Sequence, residues 1–374
     1  MAVTSLTLTD FRNYARLRLS LDRGPVVVAG PNGAGKTNLL EAVSYLGTGR
    51  GLRGARLADV DRRTAHGVAG PWAVAAVLDG PLGRFEVGTG RDGEAAASRR
   101  LVRIDGKPQS GPAALADRVP ILWLTPAADR LFLDRPGARR RFLDKLVAVL
   151  EPAHAARVNE YERALRERAR LLKAPDADAA WLSALERTMA ETGIAVAAAR
   201  LLAVADLSRA AAGGIGPFPP AVIAADGEAE RWLAECPALE AEDRLAGALF
   251  ESRQRDAEAG GAAHGPHRTD MVVTEGSRGL AAATLSTGEQ KTLLLGIILA
   301  AARTQGEKRG FAPVLLLDEV SAHLDEAHRA ALYAEVAALG AQAWLTGTDR
   351  ALFAALDGEA QFIAVSDGRI EETA

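Results

Sequence analysis

Pro25-Val26-Val27-Val28-Ala29-Gly30-Pro31-Asn32-Gly33-Ala34-Gly35-Lys36-Thr37 carries the strongest local signal in the chain. Residues 25–29 form an unbroken apolar run, as expected of a strand buried on both faces. Gly30 to Thr37 match G-x-x-x-x-G-K-[ST] in full, and Leu39, Leu40, Val43 and Leu46 then recur at helical spacing. Strand, glycine loop and helix is the order a phosphate-binding unit requires. The glycines let successive backbone N–H groups turn inward around an anion, and the helix N-terminus adds its partial positive charge. Gly30, Pro31, Asn32, Gly33, Ala34, Gly35, Lys36 and Thr37 are therefore candidate ATP contacts. Lys36 would reach the β- and γ-phosphates, and the Thr37 hydroxyl would ligate Mg²⁺.

Val314-Leu315-Leu316-Leu317-Asp318-Glu319 has the form of the second half of such a site. Four apolar residues make a strand, Asp318 sits at its carboxyl end to hold Mg²⁺ through water, and Glu319 is the candidate catalytic group that polarises the attacking water. An apolar strand ending in two acids is common by itself; downstream of a complete phosphate loop it gains this meaning. Leu285-Ser286-Thr287-Gly288-Glu289-Gln290-Lys291 leads into a further apolar helix, Leu293 to Ala300. Alone, this heptamer is an ordinary N-cap before a core helix. Followed by Asp318-Glu319 and by Ser321-Ala322-His323-Leu324-Asp325, it reads as an ATP-binding-cassette signature. One nucleotide already has its phosphates wrapped by the first loop. A second phosphate-reading helix, with Ser286, Gly288, Glu289 and Gln290, therefore makes sense across a homodimer, with ATP between the subunits.

The chain has 374 residues, enough for two or three domains at ~150 residues each. Hydrophobic residues make up 48% and charged residues 25%, a globular balance that excludes a disordered tail protein. No window approaches the ~18 uninterrupted apolar residues of a membrane helix. Residues 1–22 alternate apolar and polar side chains and lack a signal-peptide block. The single cysteine, Cys236, excludes a disulfide framework and a cysteine-built zinc site; only His323 and His328 have a metal-like spacing, and they fall in the cassette motif region and its following helix. A cytoplasmic protein without membrane attachment is expected. With a net charge of −3 there is no global field to attract nucleic acid, so any DNA site must be a local patch.

Residues 1–21 read as a hairpin with Asp10-Phe11-Arg12-Asn13-Tyr14 at its turn. Further strands are expected at Leu101 to Ile104, Ile121 to Leu124, Met271 to Thr274 and Ala343 to Thr346, and a closing hairpin around Asp367-Gly368. From Pro136 to about Leu172, and from Trp181 to Ala212, the pattern is helical; Pro152 interrupts the first stretch and the Gly/Pro run 213–220 ends the second. The economical architecture is α/β: a cassette-type P-loop ATPase head built from both chain ends, 1–130 and 263–374, with a helical lobe, 131–262, inserted between them. The insert is too short and too broken for a long coiled-coil arm.

With these motifs the chain resembles the RecF family, bacterial recombination-repair ATPases related to the SMC proteins. The resemblance runs over essentially the whole length. It is carried by Asp10 to Tyr14, by Asn38-Leu39-Leu40-Glu41-Ala42 and Gly47-Thr48-Gly49-Arg50, by Arg139-Arg140-Arg141-Phe142-Leu143-Asp144, and by Gly265-Pro266-His267-Arg268 with Asp270. It implies an ATP- and Mg²⁺-dependent dimer that binds DNA at gaps or single-strand/duplex junctions and works with RecR and RecO to place RecA. It further implies ATP contacts at Arg12 and Asn13, and a D-loop and switch at Asp325 and Thr348. Two departures stand out. Thr125-Pro126-Ala127-Ala128-Asp129 lacks the glutamate of the family's Ser-Pro-Glu-Asp segment. Thr348 stands where many cassette ATPases carry a γ-phosphate-sensing histidine, so slow hydrolysis is expected.

Two arginine clusters are the candidate DNA contacts. Arg139, Arg140 and Arg141 begin a helix, either as an ordinary solvated face or as a phosphate-contacting patch. Arg50, Arg53 and Arg56 lie among glycines after the nucleotide-binding helix, placed for DNA or dimer contact. A transporter's ATP-binding subunit is the first competing function. There, signature and phosphate loop lie roughly a hundred residues apart, whereas Thr37 and Ser286 are 249 apart here, with a lobe between them. A non-hydrolysing ATP-dependent clamp is the second, and Glu319 argues against it.

Overall fold

A computed structural model of the chain describes residues 1–65, 67–93, 99–174, 176, 178–321, 324–366 and 368–372. Ala322, His323 and Asp367, all in segments read above, lie outside the described residues. The chain forms two compact units, one of residues 1–129, 214–219 and 287–374, the other of residues 130–213 and 220–286. Among the described residues no helix is long and apolar enough to cross a membrane.

The N-terminal segment supplies β1 (Ala2–Phe11), β2 (Tyr14–Ser20), β3 (Val26–Ala29), α1 (Lys36–Ser44), β4 (Arg63–Thr64), β5 (Gly67–Val68), β6 (Ala73–Gly80), β7 (Gly83–Arg91), β8 (Arg100–Ile104), β9 (Lys107–Pro108) and β10 (Ile121–Leu124). The second unit supplies α2 (Pro136–Leu150), α3 (His154–Leu171), α4 (Ala179–Ala211), β11 (Ala221–Asp226), α5 (Glu228–Glu235), α6 (Ala238–Glu251), α7 (Arg253–Ala259), β12 (Asp270–Glu275) and β13 (Leu280–Ala281). The C-terminal segment returns with α8 (Thr287–Arg309), β14 (Val314–Leu317), α9 (Glu326–Ala338), β15 (Ala343–Gly347), β16 (Gln361–Ser366) and β17 (Arg369–Glu372).

Both chain ends build the head's central sheet, ordered β10-β14-β15-β3-β16-β17 and parallel except for β17. Val26, Val27, Val28 and all four residues of β14 are fully buried, which is why these strands contain only apolar side chains. A second, antiparallel sheet runs β2-β1-β6-β7-β8-β9. In its first hairpin Leu6 faces Leu19 and Leu8 faces Leu17, and pairing continues to Phe11 and Tyr14. The turn is therefore only Arg12-Asn13, tighter than the five residues the sequence suggested. Gln342 ties the sheets together: its amide accepts from Val3 N–H at 2.8 Å and donates to the Val3 and Asp22 carbonyls at 2.9 and 2.8 Å. Phe11 of β1, Tyr45 just after α1 and Trp72 just before β6 pack edge-on and tilted against one another, with centroids 4.7–6.0 Å apart.

The second unit is organised along α4, capped by the Asp178 carboxylate, which accepts from Ala180 and Trp181 N–H. Its core gathers Tyr161, Met189, Ile194, Leu245 and Leu249. Arg168, 1% exposed, meets Glu186 and Asp256 at 2.9 and 2.8 Å and the Leu249 carbonyl at 2.6 Å. The unit is not purely helical, because β11, β12 and β13 form a three-stranded antiparallel sheet. That sheet corrects the expected boundary at 262/263. Pairing of β12 with β11 draws residues 263–286 into this unit, while residues 214–219 join the head, where Phe218 packs on the His328 ring. The short, alanine-rich β11 carried no recognisable strand signal.

The lobe segments that resemble the family form one cluster within this unit. Arg139 pairs with Asp270 at 2.6 Å, and Arg140 donates to the Thr269 carbonyl at 3.1 Å. Asp144 accepts from Arg200, which also donates to the Pro266 carbonyl at 2.7 Å. His267 accepts from the Tyr161 hydroxyl at Nδ1 (2.6 Å) and donates from Nε2 to the Ala262 carbonyl (2.9 Å). Burial pushes the His267 pKa down to about 4, so the ring is held neutral. The unfolded chain takes up this proton first as pH falls, so the stability His267 contributes is complete above its ordinary value of 6.5 and is lost on acidification through about 4. The urea midpoint of the lobe should fall across that window in the parent, and His267→Gln, which keeps one acceptor and one donor, should flatten the fall when both are titrated by circular dichroism.

Candidate nucleotide-binding site

The phosphate loop leaves β3 at Gly30 and enters α1 at Lys36. Gly35 has φ +115° and leaves no room for a side chain: a Cβ there would strike the Asn13 amide. At Gly30 a Cβ would strike the Val365 carbonyl of β16. Both positions are thus glycine for space as well as for conformation. The loop is held from two sides. From the β1–β2 turn, Asn13 donates to the Ala34 carbonyl at 3.3 Å and accepts from Asn38 at 2.8 Å, while Tyr14 donates to the Gly35 carbonyl at 3.1 Å. From the β16–β17 tip, the Gly368 N–H donates to the Ala34 carbonyl at 3.1 Å.

Lys36, only 4% exposed, donates to the Gly30 and Pro31 carbonyls at 2.7 and 3.0 Å, and so lies along the loop it is expected to serve. The Thr37 hydroxyl stands 3.0 Å from each carboxylate oxygen of Asp318. Asp318 is 4% exposed, and Thr346 on β15 also donates to it, at 2.8 Å. Burial raises the Asp318 carboxyl above its ordinary value, against the hydrogen bonds from Thr346 and Thr37, which lower it. Glu319 follows in the left-handed region at φ +53°, a conformation that costs a non-glycine residue energy. Gly33, Gly35, Lys36, Thr37, Asn38, Arg53 and Glu319 together line a cavity of about 270 Å³. The loop, the strand-end acid and the candidate base, far apart in sequence, therefore face one space.

Beside it, Arg12 also has positive φ (+54°) and forks onto the fully buried Glu41 of α1 at 2.8 and 2.9 Å. Arg53 meets the same carboxylate at 2.6 Å and Asn38 at 2.7 Å. Arg12, Asn13, Asn38 and Arg53 border a second, more open cavity of about 500 Å³. Arg53 thus borders both cavities, and like Arg50 and Arg56 it is exposed. The segment between them and α1 is pinned by Arg100 of β8, which donates to the Tyr45, Gly47 and Gly49 carbonyls.

Ser286, Thr287 and Gly288 are exposed at the start of α8, Glu289 is half-buried and Gln290 is buried. Lys291, next along, reaches Asp129 at 3.5 Å, which gives the departing Thr125–Asp129 segment a contact with this helix. Asp325 caps α9 through His328 N–H at 2.8 Å, and Thr348 is exposed just beyond β15. The three arginines at the start of α2, read as either a solvated face or a phosphate-contacting patch, differ in their surroundings. Arg139 is neutralised by Asp270 and Arg140 is half-buried, so Arg141 is the exposed member. Sequence reasoning gave no role to Tyr14, Glu41, Val365 or Thr346; all act through contacts between segments distant in the chain.

The RecF/RecN/SMC N-terminal domain family matches residues 2–369. The DNA replication and repair protein RecF of Mesorhizobium japonicum is 47% identical over 378 residues, covering 99% of this chain and 98% of its own. That of Rhizobium meliloti is 48% identical over 377 residues, with 98% of each covered. Among solved structures, RecF with ATP, described as the recombination mediator protein of the RecFOR pathway, superposes with a TM-score of 0.85 at 20% identity, covering 100% and 98% of the two chains. An SMC head domain from Pyrococcus furiosus gives 0.54 at 15% identity, over 100% and 96%. These two structures share the fold of this chain. On a family match across nearly every residue and full-length identities of 47% and 48%, the chain belongs to the RecF family of SMC-related proteins.

Proposed function

We propose that this chain is an ATP-dependent DNA-binding switch of recombinational repair and replication-fork maintenance. The observation that carries the reading is the meeting of Thr37 with the buried Asp318 at 3.0 Å, beside Glu319 and a complete phosphate loop, in a chain of the RecF family. ATP binds in the cavity between them. An all-oxygen set of one hydroxyl and one carboxylate suits Mg²⁺, which takes few protein ligands and completes its shell with phosphates and water. Among the described residues no cluster of three or more His, Cys, Asp or Glu side chains offers a different metal site. Bound there, Mg²⁺ would offset phosphate charge; Thr37 and Asp318 would hold it, and Glu319 would orient the attacking water.

Two chains close around two ATP molecules, each γ-phosphate lying between one loop and the partner's Ser286–Gln290 signature, in a two-fold arrangement. The dimer forms on DNA, at gaps or single-strand/duplex junctions, and acts with RecR and RecO to load RecA. Slow hydrolysis, in keeping with Thr348 at the switch, releases it. The names of the relatives, and the insertion of the second unit's residues in the chain between Thr37 and the signature helix, favour this over a transporter subunit.

Lys36→Ala removes the charge met by the triphosphate and should weaken ATP binding at least ~10-fold in a direct titration. Glu319→Gln should still bind ATP while hydrolysis slows by about 10²- to 10⁴-fold and the dimer accumulates in sedimentation; a parental rate would exclude Glu319 as the base. Ser286→Arg places a bulky cation where the partner's γ-phosphate approaches, so ATP affinity should stay normal while ATP-dependent dimerisation and hydrolysis are lost. Mixing it with Lys36→Ala should restore one composite site and partial hydrolysis. DNA affinity should fall steeply with salt. Reversing Arg50, Arg56 and Arg141 to Glu should lower both the affinity and the salt slope, and an unaltered slope would place the DNA site elsewhere.

A further inference from the structure

Thr346 is buried on β15, and its side-chain hydroxyl has two partners. It accepts from the Glu319 N–H at 2.8 Å and donates to Asp318 Oδ1 at 2.8 Å. The parallel ladder between β14 and β15 ends at Leu317 and Leu345. One residue on, the Asp318 N–H turns to β10 and donates to the Leu124 carbonyl at 2.9 Å. The Glu319 N–H thus points toward β15 beyond the last rung. There the Thr346 hydroxyl takes the place of a strand carbonyl. Its acceptance of this N–H coincides with the one left-handed residue of the segment, Glu319 at φ +53°. A non-glycine residue keeps such a conformation only where its surroundings fix it.

We propose that Thr346 is a positioning residue for hydrolysis: one hydroxyl clamps the backbone of Glu319 and the carboxylate of Asp318, and so aims the Glu319 side chain into the loop cavity. This rests on the reading of Glu319 as the group that orients water. A hydroxyl suits the place because its single oxygen accepts from an N–H and donates to a carboxylate at once. The β-branch suits a strand and fills the buried position, so the two parts of the threonine side chain can be tested apart.

Thr346→Val keeps the shape and removes the hydroxyl; Thr346→Ser keeps the hydroxyl and leaves a methyl-sized gap. If the clamp operates, Thr346→Val should lose about 10- to 100-fold in kcat, the cost of displacing a reacting group by an ångström, with ATP affinity within ~3-fold of the parent. Thr346→Ser should keep most of the rate. Without nucleotide, the amide of a selectively ¹⁵N-labelled Glu319 should exchange faster in Thr346→Val and at the parental rate in Thr346→Ser. The inverted pattern, an intact valine and an impaired serine variant, is what a space-filling side chain gives, and it would overturn the proposal. So would unaltered amide exchange in Thr346→Val, or collapse of its ATP binding together with its rate. A Glu319→Gln protein that hydrolyses at the parental rate would instead remove the reading on which the clamp rests; a slow Glu319→Gln beside a fast Thr346→Val removes the clamp alone.

Discussion

A carboxylate withdrawn from water must be met by hydrogen-bond donors, and the centre of the head is arranged around how Asp318 meets that demand. Its strand is wholly apolar, so the charge sits at the end of β14, the first place where polar groups can reach it. The hydroxyls of Thr37 and Thr346 approach from the phosphate loop and from β15. Because β3 and β14 both flank β15, this one residue gathers three neighbouring strands of the parallel sheet onto a common point. The same contacts bring the loop, the acid and the cavity beside them into one fixed arrangement.

Support of the phosphate loop follows a similar logic. Crowding at Gly30 and Gly35 leaves the loop little freedom, and the backing comes from both ends of the chain: the Arg12-Asn13 turn on one side, Val365 and Gly368 on the other. Backbone strain concentrates here too, at Arg12 and Glu319. Arg12 is held by a fork to a carboxylate that has no access to water, and Glu319 by a hydroxyl. Rigid placement of polar groups before a ligand arrives is what electrostatic preorganisation requires.

In the lobe, charge is spent on internal order. Arg139, Arg140, Arg200 and Asp144 bind the start of α2 to the turn preceding β12, and the neutral ring of His267 completes the cluster. An arginine-rich helix start that suggests a nucleic-acid surface therefore presents chiefly Arg141 to solvent.

The sequence alone determined the glycine loop between β3 and α1, the acids that follow β14 and the building of the head from both chain ends. Each of these is written in neighbouring residues, as a fixed spacing, an apolar run or a glycine that must turn. What lay beyond it were β11, whose alanine-rich run has no strand period, and the attachment of residues 263–286 to the lobe, which β12 decides by pairing with β11. The same holds for the partners of charged side chains. Whether Arg139 faces a phosphate or Asp270, whether Arg53 points to DNA or to Glu41, and that Thr346 bridges Asp318 and Glu319 depend on which distant segment arrives alongside. Only the tertiary structure decided these, because a hydrogen bond is set by distance and direction in space, and residues 131 positions apart carry no mark of one another in the chain.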